Sequence, residues 1–365
     1  MTGLIVHEWL ATTGGSENVV QSIAAVFPDA PIVCLWDDLP SRFEAGRVSE
    51  TWLARTPLRR SKALALPFMP AVWRNLPNKD ADWVLCSSHL FAHHAQFSGT
   101  ARTARKFVYV HTPARYIWAP ELDGRGNSWL ARTISKPLKT LDRKRAQGDF
   151  SIAANSVFIQ KRIEKAWGRG SQVIYPPVQV AAFAKDSSEA LTIEEEVLLG
   201  NLPETFILGA SRFVYYKRLD VAIAAGVAAG VQVILAGEGP DAPRLRALAD
   251  EHPGVVTFVP RPSHALLSQL YSRALAYVFP SVEDFGIMPV EAMATGTPVV
   301  ANAIGGASES VVHGITGALT YSFAPSALKE AVEIASLADS SACVTRAWEF
   351  DTRVFETKIR DWVQA

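Results

Sequence analysis

Two carboxylates stand close together in residues 279–302, where residue types and spacing suit a phosphorylated ligand. The stretch reads FPSVEDFGIMPVEAMATGTPVVAN, with Glu283 before Gly286 and Glu291 eight positions beyond Glu283. Its apolar runs and its glycine and proline positions predict a strand, a turn, a helix from Pro289 and a second strand. A helix N-terminus after a strand and a glycine turn can bind an anion. The simpler alternative is an ordinary strand–loop–helix unit with surface acids.

Two cations occupy a similar position earlier in the chain. Arg212 and Lys217 follow the apolar run FILGAS (206–211) and precede the helical pattern DVAIAA. Arginine binds a diphosphate as a planar fork and lysine binds it as a point charge. Loop cations are usually just solvated, but a strand before them and a helix after them favour phosphate binding.

The elements that must position these residues alternate between buried strands and helices. This alternation predicts α/β architecture with parallel sheets. The chain has 365 residues, a length that suits two domains of about 150 to 200 residues. Its composition, 48% hydrophobic and 20% charged, is typical of a globular protein with large cores.

Other sequence features exclude several classes of protein. The three cysteines lie far apart, which argues against a disulfide framework or a zinc site. No GxGxxG follows the first strand, which argues against an oxidoreductase. The N-terminus MTGLIVHEWL lacks the features of a signal peptide, and the apolar run 221–237 is too short and too interrupted to span a bilayer. We therefore expect a cytoplasmic protein.

Charge is divided unevenly along the chain. Residues 1–180 hold 23 Lys or Arg and 14 Asp or Glu (+9), whereas residues 181–365 hold 13 and 22 (−9). The segment 51–76 has five basic residues and no acid among Trp, Leu, Phe and Met, and 132–145 is a second basic run. Such segments can dock on an anionic bilayer, although a packed helical hairpin with a basic edge is an equal alternative for 51–76.

Three further positions could contribute to a site. The pair Gly14–Gly15 lies between a predicted strand and a helix, a geometry that can approach phosphate, although a plain turn is the commoner outcome. His111 ends the predicted strand FVYV, where a structural role is the alternative. Asp80 and Asp82 precede a strand rather than follow one, so we interpret them as a turn and expect no catalytic metal there.

The amino-acid sequence around these residues is similar to that of a known family. The stretch EDFGIMPVEAMATGTPVVA with Gly305–Gly306 and Glu309, and the Arg–four residues–Lys pattern, resemble the family-4 retaining nucleotide-sugar glycosyltransferases (glycosyltransferase group 1). The segments HTPARYIW and VHEWL resemble the mannosyltransferase subgroup acting on lipid-linked or O-antigen-type glycans, although that subgroup more often has Asp in place of Glu8.

The resemblance implies a fold and a division of the chain. The expected fold is GT-B, two Rossmann-like doubly wound parallel-sheet domains facing a cleft. The domains would be an acceptor-binding domain at 1–180 and a nucleotide-sugar-binding domain at 181–345. A C-terminal helix at 346–365 would return to the first domain.

The resemblance also implies roles for the site residues. The catalytic residues would be His111, Glu283, Arg212 and Lys217. Glu283 would contact the sugar, Glu291 the ribose and Arg261 the nucleobase. The cations and the backbone after Gly286 would stabilise the diphosphate without a metal or cofactor. The donor-binding residues would be Gly14, Gly15, Arg212, Lys217, Arg261, Glu283, Phe285, Gly286, Ile287 and Glu291.

The expected reaction is transfer of a sugar with retention of anomeric configuration. The resemblance favours GDP-mannose as the donor and a glycan or polyprenyl-diphosphate-linked acceptor, at the cytoplasmic face of an anionic membrane, with no nucleic acid partner. The alternatives are a UDP-sugar donor or a non-catalytic sugar-nucleotide-binding protein. An epimerase of the same architecture would need an acid/base pair that the sequence does not display.

Overall fold

The chain forms two compact α/β units. The computed structural model describes residues 2–118, 129–184 and 190–365, without the side chains of 129–135. One unit comprises Met1–Pro177 and Arg353–Ala365, and the other comprises Val178–Thr352. Each unit contains one parallel sheet with helices between its strands. The predicted fold class, two doubly wound Rossmann-like domains, is confirmed.

The first unit contains a seven-stranded sheet in the order β3-β2-β1-β4-β5-β6-β7. The order reverses between β1 and β4, and ligands of doubly wound sheets bind at the carboxyl ends of the strands beside such a reversal. The strands are β1 Gly3–His7, β2 Ile32–Cys34, β3 Val48–Glu50, β4 Trp83–Ser88, β5 Arg105–Val110, β6 Ser151–Ala154 and β7 Gln172–Val173.

Helices cover both faces of this sheet. In β1, Leu4 and Val6 enter one hydrophobic cluster and Ile5 enters another, because successive side chains of a strand point to opposite faces. The sheet is therefore buried on both sides, as parallel sheets usually are. The helices of the first part of the chain are α1 Gly15–Val26, α2 Lys62–Ala65, α3 Met69–Arg74, α4 Arg115–Trp118, α5 Trp129–Arg145 and α6 Val157–Trp167.

The second unit contains a six-stranded sheet in the order β10-β9-β8-β11-β12-β13, so its order reverses between β8 and β11. Its strands are β8 Phe206–Ala210, β9 Gln232–Ala236, β10 Val256–Val259, β11 Ala276–Phe279, β12 Val299–Asn302 and β13 Gly317–Thr320. Its helices are α7 Val180–Phe183, α8 Ile193–Gly200, α9 Leu219–Ala229, α10 Ala242–Asp250, α11 His264–Arg273, α12 Ile287–Ala294, α13 Ala307–Ser310, α14 Pro325–Ser336 and α15 Ser340–Trp348.

The last helix, α16 (Thr352–Gln364), packs on the first unit. Its apolar residues Phe355, Ile359 and Val363 recur at helical spacing and are buried in the same cluster as Ile5. The expected start of this segment at residue 346 falls inside α15, which buries Cys343 and Ala347 in the second unit. The chain therefore leaves the second unit only after α15 has ended.

No helix in the part of the chain that the structure describes is both long and apolar enough to cross a bilayer. The apolar run 221–237 is instead shared between α9 and β9, with Gly230 as the left-handed cap that ends α9.

Candidate functional site

The reversal of strand order in the second unit brings a cation and a carboxylate together. Lys217 Nζ lies 2.7 Å from Glu283 Oε1, although the two residues are 66 positions apart. Their side chains are only 14% and 17% exposed. Lys217 follows β8 and Glu283 follows β11, and these strands are neighbours in the sheet. The ion pair thus occupies the position where a doubly wound sheet binds its ligand.

The loop that carries Lys217 is held by close backbone packing. The peptide N–H of Phe213 donates to the carbonyl oxygen of Glu238 over 2.7 Å. A Cβ atom on Gly239, whose φ is +155°, would lie 2.3 Å from the carbonyl oxygen of Phe213. Only glycine allows the turn at residues 237–240 (GEGP) to approach so closely. This turn supports the loop that carries Lys217.

Arg212 lies on the same loop and is exposed. Its Nη2 donates to the hydroxyl oxygen of Tyr216 over 3.2 Å. A guanidinium has five N–H donors, so this contact leaves others for an anion. Lys217 and Arg212 therefore differ: the lysine is held by Glu283, whereas the arginine remains at the surface.

Helix α12 begins next to Glu283, with Gly286 as its cap at a φ of +95°. The predicted start at Pro289 is wrong by two residues, because a proline in the first turn has no N–H to place and does not prevent an earlier start. Ile287 is the first residue of the helix and is partly buried. The N–H groups of a first helical turn lack intrahelical acceptors, so this end can bind an anion.

The turn before α12 is fixed by a second glycine contact. The N–H of Gly306 donates to the carbonyl oxygen of Glu283 over 2.8 Å. A Cβ on Gly306 would lie 2.3 Å from the carbonyl oxygen of Asp284. Phe285 is buried and packs against Phe350, with ring centroids 5.4 Å apart. Phe285 therefore anchors the turn in the core, and its role in donor binding stays a prediction.

Glu291 lies on α12 and is partly buried. Burial raises the pKa of its carboxyl to about 7. Among the described residues, no hydrogen bond or ion pair reaches this carboxylate. Ser281, at the carboxyl end of β11, is 2% exposed, and its hydroxyl also has no hydrogen-bond partner among those residues. Ser281 was not among the site residues predicted from the sequence.

The reversal of strand order in the first unit is lined by histidines. His111 Nε2 lies 2.8 Å from Ser87 Oγ, and the same hydroxyl lies 3.1 Å from His7 Nδ1. Burial lowers the pKa of His111 to about 3, with the charge of His7 as a smaller cause. Burial likewise lowers the pKa of His7 to about 4. Both imidazoles are therefore neutral at physiological pH, suited to hydrogen bonding rather than to carrying charge.

Glu8 is a buried carboxylate in the same region. Its Oε1 accepts the N–H groups of Leu90 and Ala92 over 2.8 and 2.7 Å. Burial raises the pKa of Glu8 to about 7 against these hydrogen bonds. Glu8 was not predicted as a site residue. The sequence feature that could have identified it is its position directly after β1, because polar residues after a central strand of a parallel sheet lie at the ligand-binding edge.

Among the residues that the structure describes, two groups of side chains are close enough to hold a metal ion: His7, Glu8 and His89, and His93, His94 and Asp142. In the first group, the carboxylate of Glu8 already accepts hydrogen bonds from backbone N–H groups. In the second, both oxygens of Asp142 are in contact with nitrogen groups of the protein. The expectation that catalysis needs no metal stays a prediction.

The predicted residues Gly14 and Gly15 belong to the first unit. Gly15 is the first residue of α1, and Gly14 is its cap. The carboxylate of the buried Glu17 accepts the N–H of Ala11 over 3.1 Å and the hydroxyl of Ser16 over 2.8 Å. This acid beside the loop makes the loop better suited to hydroxyl groups than to phosphate.

Arg261 follows β10 in a left-handed conformation, with a φ of +43°. Its Nε lies 3.2 Å from Glu238 Oε2, and its side chain is 82% exposed.

Asp80 and Asp82 precede β4, and each accepts hydrogen bonds from the protein, Asp80 from Thr100 and Asp82 from Thr2.

Comparison with known proteins agrees with this geometry. Residues 191–342, which span most of the second unit, match the family of glycosyl transferases group 1. The match therefore lies within the second unit and covers less than half of the chain. The candidate site residues Lys217, Glu283 and Glu291 all lie within the matched residues.

Curated relatives match part of the chain. The chain is 38% identical over 160 residues to the D-inositol 3-phosphate glycosyltransferases of Mycobacterium bovis and Mycobacterium tuberculosis. The match covers 40% of this chain and 32% of each relative, so the chain spans about a third of their length.

Solved structures extend the likeness over the whole chain. Anabaena Alr3699/HepE in complex with UDP matches with a TM-score of 0.74 at 19% identity, covering 100% of both chains. WaaG, a glycosyltransferase involved in lipopolysaccharide biosynthesis, matches with a TM-score of 0.66 at 14% identity, again over 100% of both chains. These likenesses establish the GT-B fold.

Proposed function

We propose that this protein transfers a sugar from a nucleoside diphosphate sugar to a glycan or lipid-linked acceptor. The observation that carries the proposal is the Lys217–Glu283 pair, 2.7 Å apart, beside the N-terminus of α12. The pair and the start of α12 together bring a cation, a carboxylate and N–H groups that lack intrahelical acceptors to one edge of one sheet. The cation and the amides suit a diphosphate, and the carboxylate suits sugar hydroxyls.

The leaving group determines what the site must stabilise. As the bond between the anomeric carbon and the diphosphate oxygen breaks, negative charge grows on that oxygen. Lys217, Arg212 and the first N–H groups of α12 are arranged to stabilise this charge. Glu283 holds Lys217 in place and, through its second carboxylate oxygen, accepts a sugar hydroxyl.

We infer a retaining reaction on one face of the sugar. The acceptor oxygen bonds to the anomeric carbon, and its proton passes to the departing phosphate oxygen, so atoms and charge balance without a protein nucleophile. In this proposal His111 contacts the sugar. Ser87 and His7 orient its neutral ring through the hydrogen-bonded chain that they form with it.

The proposal also concerns which nucleotide sugar is the donor. The sequence resemblance supports GDP-mannose. A UDP-sugar is the second candidate, because Alr3699/HepE, which shares the fold, was solved with UDP and with UDP-glucose. The cations and glutamates of this chain suit either donor.

Thermal shift with GDP, UDP and ADP tests the proposal, on wild type and on Lys217→Ala. A nucleotide at about a hundred times its dissociation constant should stabilise the protein by about 2.7 kcal/mol. We expect stabilisation by one nucleotide in wild type and its loss in the variant. A wild-type protein that responds to none of the three nucleotides would contradict the nucleotide-sugar proposal.

The raised pKa of Glu291 predicts a pH dependence of nucleotide binding. A carboxyl with a pKa of about 7 is mostly ionised at pH 8 and mostly protonated at pH 6. The ionised form accepts ribose hydroxyls more strongly, so affinity should fall by roughly three- to tenfold from pH 8 to pH 6. Calorimetric titration at both pH values measures this.

Glu291→Gln provides the control for the nucleotide's own titration, which both proteins share. The variant should bind more weakly at pH 8 and should lose the extra pH dependence. If the two proteins show equal pH dependence, Glu291 does not contact the ribose.

We further propose that the acceptor is presented at an anionic membrane surface. In the segment 51–76, Trp52, Leu64 and Phe68 are 53%, 64% and 47% exposed, and basic residues lie among them. The segment is built from short 3₁₀ turns, α2 and α3 rather than from one amphipathic helix. Salt-sensitive binding to anionic vesicles would support the proposal, and indifference to lipid charge would count against it.

A further inference from the structure

A basic cavity lies in the first unit, and its lining includes His93 and His94. It has a volume of about 170 Å³ and is lined by four cations and one acid, Asp149. The cations are Arg74, Arg102, Lys106 and Arg145. None of the four forms an ion pair within the described ranges of the chain.

The cavity opens at the amino ends of the central strands. Its lining includes Val84, the second residue of β4, and Lys106, the second residue of β5. His111 follows the carboxyl end of β5, about 16 Å further along that strand. The cavity is therefore separate from the histidine-lined edge of the same sheet.

The cations that line this cavity repel one another electrostatically. Burial lowers the pKa of Lys106, and the positive charge of Arg74 lowers it further. The same two causes lower the pKa of Arg145. Like charges held at the wall of one cavity cost free energy when it contains only water, and an anion would offset that cost.

Several polar groups at the cavity have donors or acceptors to spare. Arg145 Nη1 is shielded from solvent and has no hydrogen-bond partner among the described residues. His94 is 2% exposed, and its Nδ1 likewise has no partner there. Lys106 Nζ donates to the carbonyl oxygens of His93 and Ala95 over 2.7 and 2.8 Å, which leaves one of its three N–H groups. Buried polar groups without partners are few in folded proteins and often mark a missing ligand.

We propose that this cavity binds a phosphate or diphosphate group. Arginine is the preferred partner of phosphate because its planar N–H groups match two phosphate oxygens. The volume is well above that needed for a single water and admits such a group. A free phosphorylated metabolite and a lipid headgroup offer the same chemistry. The inference does not depend on the proposed transferase function.

Calorimetric titration with inorganic phosphate and inorganic diphosphate, at constant ionic strength, tests the site. Arg145→Gln and Arg74→Gln should each weaken binding by about tenfold or more, the effect of losing a charge-assisted hydrogen bond. Lys161→Gln removes one charge from an exposed position on α6 and should leave binding unchanged. Circular dichroism and melting temperature without anion establish that each variant is folded.

Diphosphate also suits the loop of Lys217, so Lys217→Ala is titrated in parallel. Binding that survives in Lys217→Ala and is lost in Arg145→Gln supports the cavity. Binding to phosphatidylglycerol vesicles but not to phosphatidylcholine vesicles, weakened by Arg145→Gln, supports it with a headgroup as the ligand. Binding that is lost in Lys217→Ala and unchanged in both arginine variants overturns it, as does failure to bind either ion and either vesicle.

Discussion

Replacing Lys217 by alanine should lower the rate of sugar transfer by about 10²- to 10³-fold, the usual effect of removing one charge-stabilising donor. The reason is twofold. The variant lacks the cation that would face the leaving diphosphate, and it leaves the mostly buried carboxylate of Glu283 without its partner at 2.7 Å. That carboxylate would then repel the phosphates. The rate of nucleoside diphosphate release from the donor, with acceptor present, measures the effect.

Lys329→Ala is the matched control. Lys329 lies on α14 and is 58% exposed, and it lies 3.9 Å from Glu333 one helical turn away. Its loss should change the rate by less than about twofold, because exposed ion pairs contribute little. A Lys217→Ala variant that keeps a rate close to that of wild type would remove Lys217 from the site.

The double variant Lys217→Ala/Glu283→Ala separates the two causes. If repulsion by the unpaired carboxylate contributes, the double variant should bind nucleotide more tightly than Lys217→Ala alone. It should still transfer sugar slowly, because the cation is absent. Additive losses of affinity would show that the two side chains act independently.

Replacing Asp142 by alanine should destabilise the first unit by roughly 3–5 kcal/mol, because each buried donor left without its acceptor costs about 1–3 kcal/mol. Its Oδ2 accepts the indole N–H groups of Trp118 and Trp167, each over 2.7 Å. Its Oδ1 lies 3.1 Å from Nε2 of His94 and 3.1 Å from Nε2 of His93. The variant would leave these buried groups without an acceptor. Urea unfolding followed by tryptophan fluorescence measures the loss.

The pKa of Asp142 supports the same conclusion. Burial alone would raise it, but His93 and His94 outweigh burial and hold it well below its ordinary value. Asp29→Ala, which removes an exposed acid of the same unit, should cost less than about 0.5 kcal/mol. A loss for Asp142→Ala no larger than that of the control would contradict a structural role. Nucleotide binding should survive in the Asp142 variant below its melting temperature, because the Lys217–Glu283 pair lies in the other unit.

Much of the fold could be predicted from local pattern. Apolar runs that alternate with helical spacing indicated two α/β units with parallel sheets, because burial on both faces makes each strand continuously apolar. The turn around Gly286 and the helix after it were predicted, with an error of two residues at the helix start. That error arose because proline was taken as the first helical residue, whereas it is tolerated throughout the first turn.

The candidate site was predicted in its parts but not in its arrangement. Residue types singled out Lys217, Glu283 and Glu291, and the family match covers all three. Their assigned roles stay predictions. Sequence spacing offered no reason to pair Lys217 with Glu283 across 66 positions. The pairing follows from the adjacency of β8 and β11, which strand order alone determines.

The sequence by itself determined which segments become strands and helices, and which loops carry charged and glycine residues, because hydropathy period and turn chemistry are local properties. Only the tertiary structure decided the rest. It brought His7, Ser87 and His111 into one hydrogen-bonded chain, enclosed Asp142 among two indoles and two imidazoles, and gathered four cations around one cavity. These contacts join residues far apart in sequence, and the burial that changes their pKa values exists only once the sheets and helices have packed.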